Sequence, residues 1–362
     1  VSDAPARRLA LLRERLVDEH LDALLVTALP NVRYVTQFSG SNAILVLGAT
    51  DAVLLTDFRY KTQAGLEVPP AIRARIESSS LWTGVWRTLA ELGAQTVGFE
   101  SQHLTHRDFQ RLLEQGDRFT WRATTDCVEQ LRARKDEDEV ARIREAGAIA
   151  TSALARTIDA VRPGLSELEV CGILERHLRE EGSEAHPFPP IVASGPRSAL
   201  PHARAGNERI AGGDFLLLDF GATVGGYCSD ITRTFVVGRA SERQREIYTI
   251  VREAQERAIA GVRAGMVGRE GDALAREWID AQGYGGEFGH GLGHGIGLEV
   301  HEAPRLSRLA EDSLPEGSVV TIEPGVYVPE WGGVRIEDDV LVTATGAELL
   351  TEFSRDLTEL GA

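Results

Sequence analysis

Short apolar runs separated by helical patterns fill the first third of the chain. Runs at residues 22–27, 43–47, 53–56 and 96–99 have the length of buried strands. Leu9, Leu12 and Leu16 recur at helical spacing within residues 7–19, and residues 81–92 form a second candidate helix. Residues 48–51, lying between two apolar runs, read as a hairpin turn. Together these elements predict a first domain of the α/β class.

The pattern changes at residues 132–139, RARKDEDE, a charge run that suits a solvated linker and the start of a helix. Beyond it Val140, Ile143, Ile149, Ala150, Leu154, Ile158 and Val161 keep helical spacing until Arg162-Pro163-Gly164 stops the helix. The acidic residues of the first turn complement the positive end of its dipole. A second helix is predicted over 166–181. Strands follow over 215–220, 231–237, 319–323 and 334–342, with helices over 242–264 and 268–281 between the early and late ones. Helices and strands in runs, without strict alternation, predict an α+β second domain with a largely antiparallel sheet. The expected division is residues 1–127 and 128–362.

A chain of 362 residues has room for two such cores, and its 43% hydrophobic and 26% charged residues match a folded protein rather than a disordered one. The formal charge of −16 argues against nucleic acid, whose backbone is held by clustered Lys and Arg. Three cysteines, Cys127, Cys171 and Cys228, make an odd set with no CxxC pair, which predicts free thiols and a cytoplasmic setting. No apolar stretch approaches the length of a membrane span, so no membrane partner is expected.

Five positions change this picture. Asp219 in LLLDFGA, Asp230 in GGYCSDITRT, His294 in GHGLGHGIGLEVHEAP, Glu323 in VTIEPGVY and Glu337 in GGVRIEDDVLV each stand at or near a predicted strand, beside dense glycine. Taken singly, the carboxylates also suit turns, caps or a solvated edge. A carboxylate among Leu216, Leu217, Leu218 and Phe220, however, is costly to bury without a cation. Four carboxylates and one imidazole are ligands for Mn, Co, Fe or Zn, in a number sufficient for a bridged pair. Other chemistries lack their patterns. Arg305 breaks a HExxH helix after His301, the glycines of 289–297 miss the dinucleotide spacing, and no GxSxG elbow is present.

In their order and local motifs these residues resemble the pita-bread metallopeptidases, which include proline dipeptidase, aminopeptidase P and methionine aminopeptidase. The resemblance covers the chain from about residue 136 onward, and the first domain is similar to the smaller creatinase-type α/β domain of the proline-specific branch. It implies a C-terminal pita-bread catalytic domain holding two divalent ions, Mn above Co or Zn, on Asp219, Asp230, His294, Glu323 and Glu337. It further implies catalytic roles for His202, His290, His301 and Glu323. Arg335, Tyr227, Tyr327 and Arg305 become candidate substrate-binding or supporting groups.

The activity so implied is hydrolysis of an Xaa-Pro bond in a small peptide by a metal-bridging hydroxide, with Glu323 handling the proton. His290 and His301 would stabilise the oxyanion and leaving group, and His202 would contact the carbonyl side of the substrate. No residue set that would restrict the site to a dipeptide carboxylate stands out, so an Xaa-Pro aminopeptidase is expected, with an Xaa-Pro dipeptidase as the alternative. A pita-bread binding module without catalysis is a third reading, disfavoured because all five ligands are present. The resemblance also implies a homodimer.

Overall fold

The apolar runs of the first domain are buried on both faces, and that requires helices on either side of one sheet. This computed structural model describes residues 4–114 and 118–361, which divide into two compact units between Arg132 and Ala133. In the first, strands β1 (Ala23–Val26), β2 (Ala43–Gly48), β3 (Ala52–Asp57), β4 (Arg73–Glu77), β5 (Thr96–Glu100) and β6 (Thr120–Thr124) form one sheet in the order β4-β3-β2-β1-β5-β6. β1, β2 and β3 pair antiparallel, whereas β5 and β6 run parallel to β1 and β4 runs parallel to β3. Helices α1 (Ala4–Asp18), α2 (Leu29–Thr36), α3 (Lys61–Glu67), α4 (Leu81–Glu91), α5 (His106–Leu113) and α6 (Glu129–Arg132) complete this unit. Leu25, Val46, Val53 and Val97 meet Val85 and Leu89 of α4 in its core.

The second unit opens with α7 (Glu137–Ala160) and α8 (Glu167–Glu180). Both start on capping boxes, Asp136 with Glu139 and Ser166 with Glu169, which satisfy otherwise orphaned amides for about 1 kcal/mol each. The charge run is therefore partly a helix signal. The two helices pack Ala150, Leu154, Leu174 and Leu178 against one face of a sheet containing β7 (Ile191–Ser194), β8 (Phe215–Phe220) and β11 (Ile231–Val237). A short ribbon, β9 (Thr223–Val224) with β10 (Tyr227–Cys228), joins β8 to β11.

Helices α9 (Glu242–Gly261) and α10 (Gly268–Ala281) cover a second sheet. Its strands β12 (Gly293–Gly295), β13 (Glu302–Leu306), β14 (Val319–Ile322), β17 (Asp338–Val342) and β18 (Ala347–Leu349) lie in the order β13-β12-β14-β17-β18, all antiparallel. β15 (Gly325–Val328) pairs with β16 (Gly332–Arg335) as a separate ribbon, and β19 (Glu359–Leu360) extends the first sheet beside β11. The predicted strand over 334–342 is thus two strands. The chain leaves β16 after Arg335, and the Glu337 amide donates to the Thr232 carbonyl of β11 at 3.1 Å, so Glu337 bridges the two sheets.

The three thiols are free and buried. Among the described residues no helix is long and apolar enough to cross a membrane.

Candidate metal centre and substrate cavity

Asp219, Thr232 and Glu337 stand side by side on neighbouring strands, because Thr232 of β11 is opposite Asp219 of β8 on one side and Glu337 on the other. Asp230 precedes β11 directly, and Glu323 follows β14, where Ile322 is opposite Asp338. Strand ends from both sheets therefore converge on one point. His294 is the middle residue of β12, between β13 and β14. Glycine is required there, since a Cβ on Gly293 would lie 1.9 Å from the Thr321 carbonyl oxygen. The close approach lets Thr321 Oγ1 accept from the His294 amide at 3.1 Å while donating to Glu323 Oε1 at 3.3 Å.

The electrostatics of this cluster call for cations. Ligand atoms of Asp230, His294 and Glu337 lie within 4.8 Å of one another. His294 Nδ1 faces the Gly295 carbonyl at 3.1 Å, an acceptor only, so that nitrogen carries the proton and Nε2 presents a lone pair. That lone pair points at Glu323 Oε1, 3.4 Å away, and at Asp230 Oδ2, 4.0 Å away. Acceptors facing acceptors are stable only around a proton or a metal ion. Burial holds the His294 imidazole down at about 3 and pushes the Glu323 carboxyl up to about 8, so an imidazolium is not the answer. Burial, with the Glu337 charge next, raises Asp230 well above the ordinary carboxylate range; Glu337 is raised likewise by burial and by Glu323. Asp230 Oδ1 is buried with no hydrogen-bond partner among the described residues. The donor set fits divalent ions.

A second layer fixes the candidate ligands. Thr232 Oγ1 donates to Glu337 Oε2 at 2.5 Å and accepts from Arg335 Nε at 3.1 Å. The Arg335 guanidinium also donates to Asp219 Oδ2 and, at 2.8 Å, to the Tyr327 hydroxyl. His290 continues this chain. Its Nδ1 lies 2.8 Å from the Gly291 carbonyl and so bears the proton, leaving Nε2 to accept from the Tyr327 hydroxyl at 2.9 Å. Behind Asp230, the Asp339 carboxylate accepts from the Asp230 amide at 2.9 Å.

A cavity of about 1060 Å³ opens over the cluster. Asp219, Asp230, His294, Glu323 and Glu337 line it together with His202, His290, His301, Arg305 and Arg335. Two expected groups do not. Tyr227 is buried, and its hydroxyl donates to Glu139 of α7 at 2.9 Å, so it anchors a helix instead of facing the cavity. Tyr327 lies behind the wall, occupied by Arg335 and His290. Thr232, Thr321, Glu175 and Arg204 escape the sequence reading. For Thr232 a signal exists, a hydroxyl two residues after Asp230 in the unusually polar run Thr232-Arg233-Thr234 of a fully buried strand.

Residues 141–344 match the pattern of metallopeptidase family M24, and residues 8–134 match the creatinase/prolidase N-terminal domain. The chain belongs to metallopeptidase family M24. This M24 peptidase is 38% identical over 346 residues to the Xaa-Pro dipeptidase of Pyrococcus furiosus, an alignment covering 95% of this chain and 97% of the relative. The solved structure of an Xaa-Pro dipeptidase from Bacillus anthracis superimposes with a TM-score of 0.96 at 42% identity, over 98% of this chain and 100% of that one. An X-Pro aminopeptidase from Thermotoga maritima does so with a TM-score of 0.90 at 37% identity, over 97% and 99%. The M24 peptidase is accordingly a metal-dependent hydrolase of the pita-bread, proline-specific kind, with a creatinase-type domain at its N-terminal side.

Proposed function

We propose that this peptidase is an Xaa-Pro dipeptidase, releasing proline from dipeptides with two divalent ions, manganese foremost, held by Asp219, Asp230, His294, Glu323 and Glu337. When bound, the ions supply Lewis acidity at the scissile carbonyl and acidify a water. Glu323 is the least enclosed of the four cage carboxylates, so it is our candidate to take the proton from that water and return it. His202 and His301 are exposed on the cavity wall with no side-chain hydrogen bond among the described residues, and are free to meet the substrate carbonyl and the departing proline nitrogen. His290 would act differently from the sequence expectation. With both ring nitrogens engaged, it holds Tyr327, and through Tyr327 the Arg335 guanidinium that steadies Asp219.

The observation that carries the dipeptide reading is Arg305. Its guanidinium is exposed, lines the cavity and has no ion-pair partner among the described residues, as does that of Arg204. Its positive charge acts on Glu323, His294 and His301, so it stands within electrostatic reach of the reacting centre. A free carboxylate one residue beyond the scissile bond finds its charge partner there. From sequence, Arg305 was a candidate for a substrate carboxylate but no set of residues restricting the site to dipeptides stood out, and an aminopeptidase was the expectation; the placement of Arg305 and the relatives named Xaa-Pro dipeptidase favour the alternative. The test is proline release by the manganese-loaded enzyme from Ala-Pro against cleavage of Ala-Pro-Ala. Cleavage of the tripeptide with the dipeptide left intact overturns the proposal in favour of an aminopeptidase.

A further inference from the structure

Away from the cage, the cavity wall is built from α8 and the segment leading into β7. Cys171 and Glu175 stand one turn apart on α8, and Phe188, Pro189, Pro190 and Ile191 carry the wall up to the metal centre. Ile191 is the antiparallel partner of Asp219, so this wall begins beside a cage ligand. It is also firmly seated. Val170, Leu174 and Leu178 pack α8 against Val192, Leu216 and Leu218. The buried Glu167, in the first turn of α8, accepts from the Ser194 amide at 2.8 Å and from Arg197 Nε at 3.1 Å.

The charges of the cavity sort unevenly. Four of its five acidic groups belong to the cage, and the fifth is Glu175. That carboxylate is half-buried and has no ion-pair or hydrogen-bond partner among the described residues. Its neighbours on the wall are apolar, apart from the Cys171 thiol and the nearby His186 ring, on both of which its charge acts. Arg204 and Arg305 line the same cavity, yet neither lies within ion-pair distance of it.

We infer that Glu175 selects the residue preceding proline and favours lysine or arginine there, an inference that rests on the Xaa-Pro reading above. Such a side chain is an apolar stem ending in a cation. The wall offers the matching sequence of surfaces, apolar at Phe188, Pro189 and Ile191 and anionic at Glu175. The substrate's own carboxylate is drawn to Arg305 and its amide to the cage, which together hold the proline ring between them, so the first side chain is the group left to follow this wall. An acidic first residue meets an uncompensated carboxylate and is rejected.

The experiment compares kcat/KM for Lys-Pro, norleucyl-proline and Glu-Pro in the manganese-loaded wild type, Glu175→Gln and Glu175→Lys. Norleucine keeps the stem of lysine and lacks its charge. The wild type is expected to prefer Lys-Pro over norleucyl-proline by at least about threefold, the scale of a partly solvated ion pair. Glu175→Gln should bring that ratio near one, and Glu175→Lys should move preference to Glu-Pro. A wild type that cleaves norleucyl-proline at least as well as Lys-Pro overturns the inference whether or not the variants fold, as does a ratio unchanged in Glu175→Gln. A wild type that cleaves none of the three dipeptides but cuts Ala-Pro-Ala overturns the dipeptidase reading instead, which separates the two failures.

Discussion

Replacing Gly293 with alanine tests how tightly the fold dictates the metal centre. The new Cβ would lie 1.9 Å from the Thr321 carbonyl oxygen, 2.7 Å from its carbon and 2.8 Å from its Oγ1. Two of these atoms are backbone, so no side-chain rotation relieves the clash. Ordinary contact begins near 3.4 Å, and β12 and β14 must separate by about 1.5 Å. His294 is the next residue on β12, and Glu323 follows β14 with its amide bonded to the Leu292 carbonyl at 2.8 Å. Their separation is the one that opens. Metal–ligand distances tolerate about ±0.2 Å, so the displaced imidazole and carboxylate cannot both keep hold of the ions. We expect a loss of about 1–3 kcal/mol in stability, seen as several degrees in Tm, and at least about a tenfold loss in manganese affinity by calorimetric titration. Gly289→Ala is the control, because a Cβ there meets nothing within 4 Å. Equal manganese affinity in the two variants would refute the reasoning.

Thr232→Val keeps the shape of the side chain and removes the hydroxyl shared by Glu337 and Arg335; manganese affinity should fall about 10- to 100-fold and return in Thr232→Ser, as measured by titration of the stripped protein. Stripping the metal should also make stability pH-dependent. The metal-free fold holds protons on Asp230, Glu337 and Glu323, whose pKa values are raised, Glu323 to about 8. Unfolded carboxyls titrate near pH ~4 and unfolded imidazoles near ~6.5, whereas His290 and His294 stay neutral in the fold. Once pH exceeds about 7 the imidazoles are neutral in both states and the unfolded chain binds fewer protons than the cluster, so the stripped protein should lose stability as pH rises from there toward 8. Melting curves of chelated protein between about pH 7 and 8.5 check this, and a Tm that climbs over that range contradicts it. Arg305→Gln should raise KM for Ala-Pro about tenfold with little change in kcat, because a carboxylate anchor binds ground and transition states alike; an unchanged KM would remove Arg305 from that role.

Much of the architecture is written in apolar runs. Those at 22–27, 43–47, 53–56 and 96–99 became β1, β2, β3 and β5, and the hairpin at 48–51 is present, with the Gly48 amide donating to the Asp51 carbonyl at 2.8 Å. β4 and β6 are absent from that reading because they are the sheet's edges, with the polar, incompletely buried sequences RARIE and TWRAT. β12 leaves no trace either. Its sequence is Gly-His-Gly, which has no alternation to detect, and its place is set by the close approach of Thr321. The grouping of Asp219, Asp230, His294, Glu323 and Glu337 was legible in their order and local motifs, because burial among leucines demands an explanation for Asp219 alone and the other carboxylates, taken singly, suit turns or edges. What each supporting group touches was not. Tyr227 and Tyr327 look alike beside the motifs, and only the fold directs one to α7 and the other to Arg335.

The cage is assembled from strand ends that are remote along the chain, from Asp219 on the first sheet to Glu337 at the junction with the second. Contacts of such long sequence separation close late in folding, after the loop entropy between them has been overcome. No early fragment of the nascent chain therefore owns a complete binding site. Metal capture becomes an event of the finished molecule, and retention of the ions becomes a report on its integrity. Opening of the strand ends that carry Asp219, Asp230, His294, Glu323 and Glu337 would release the ions without unravelling the rest of the unit, so metal loss would serve as an early signature of damage there.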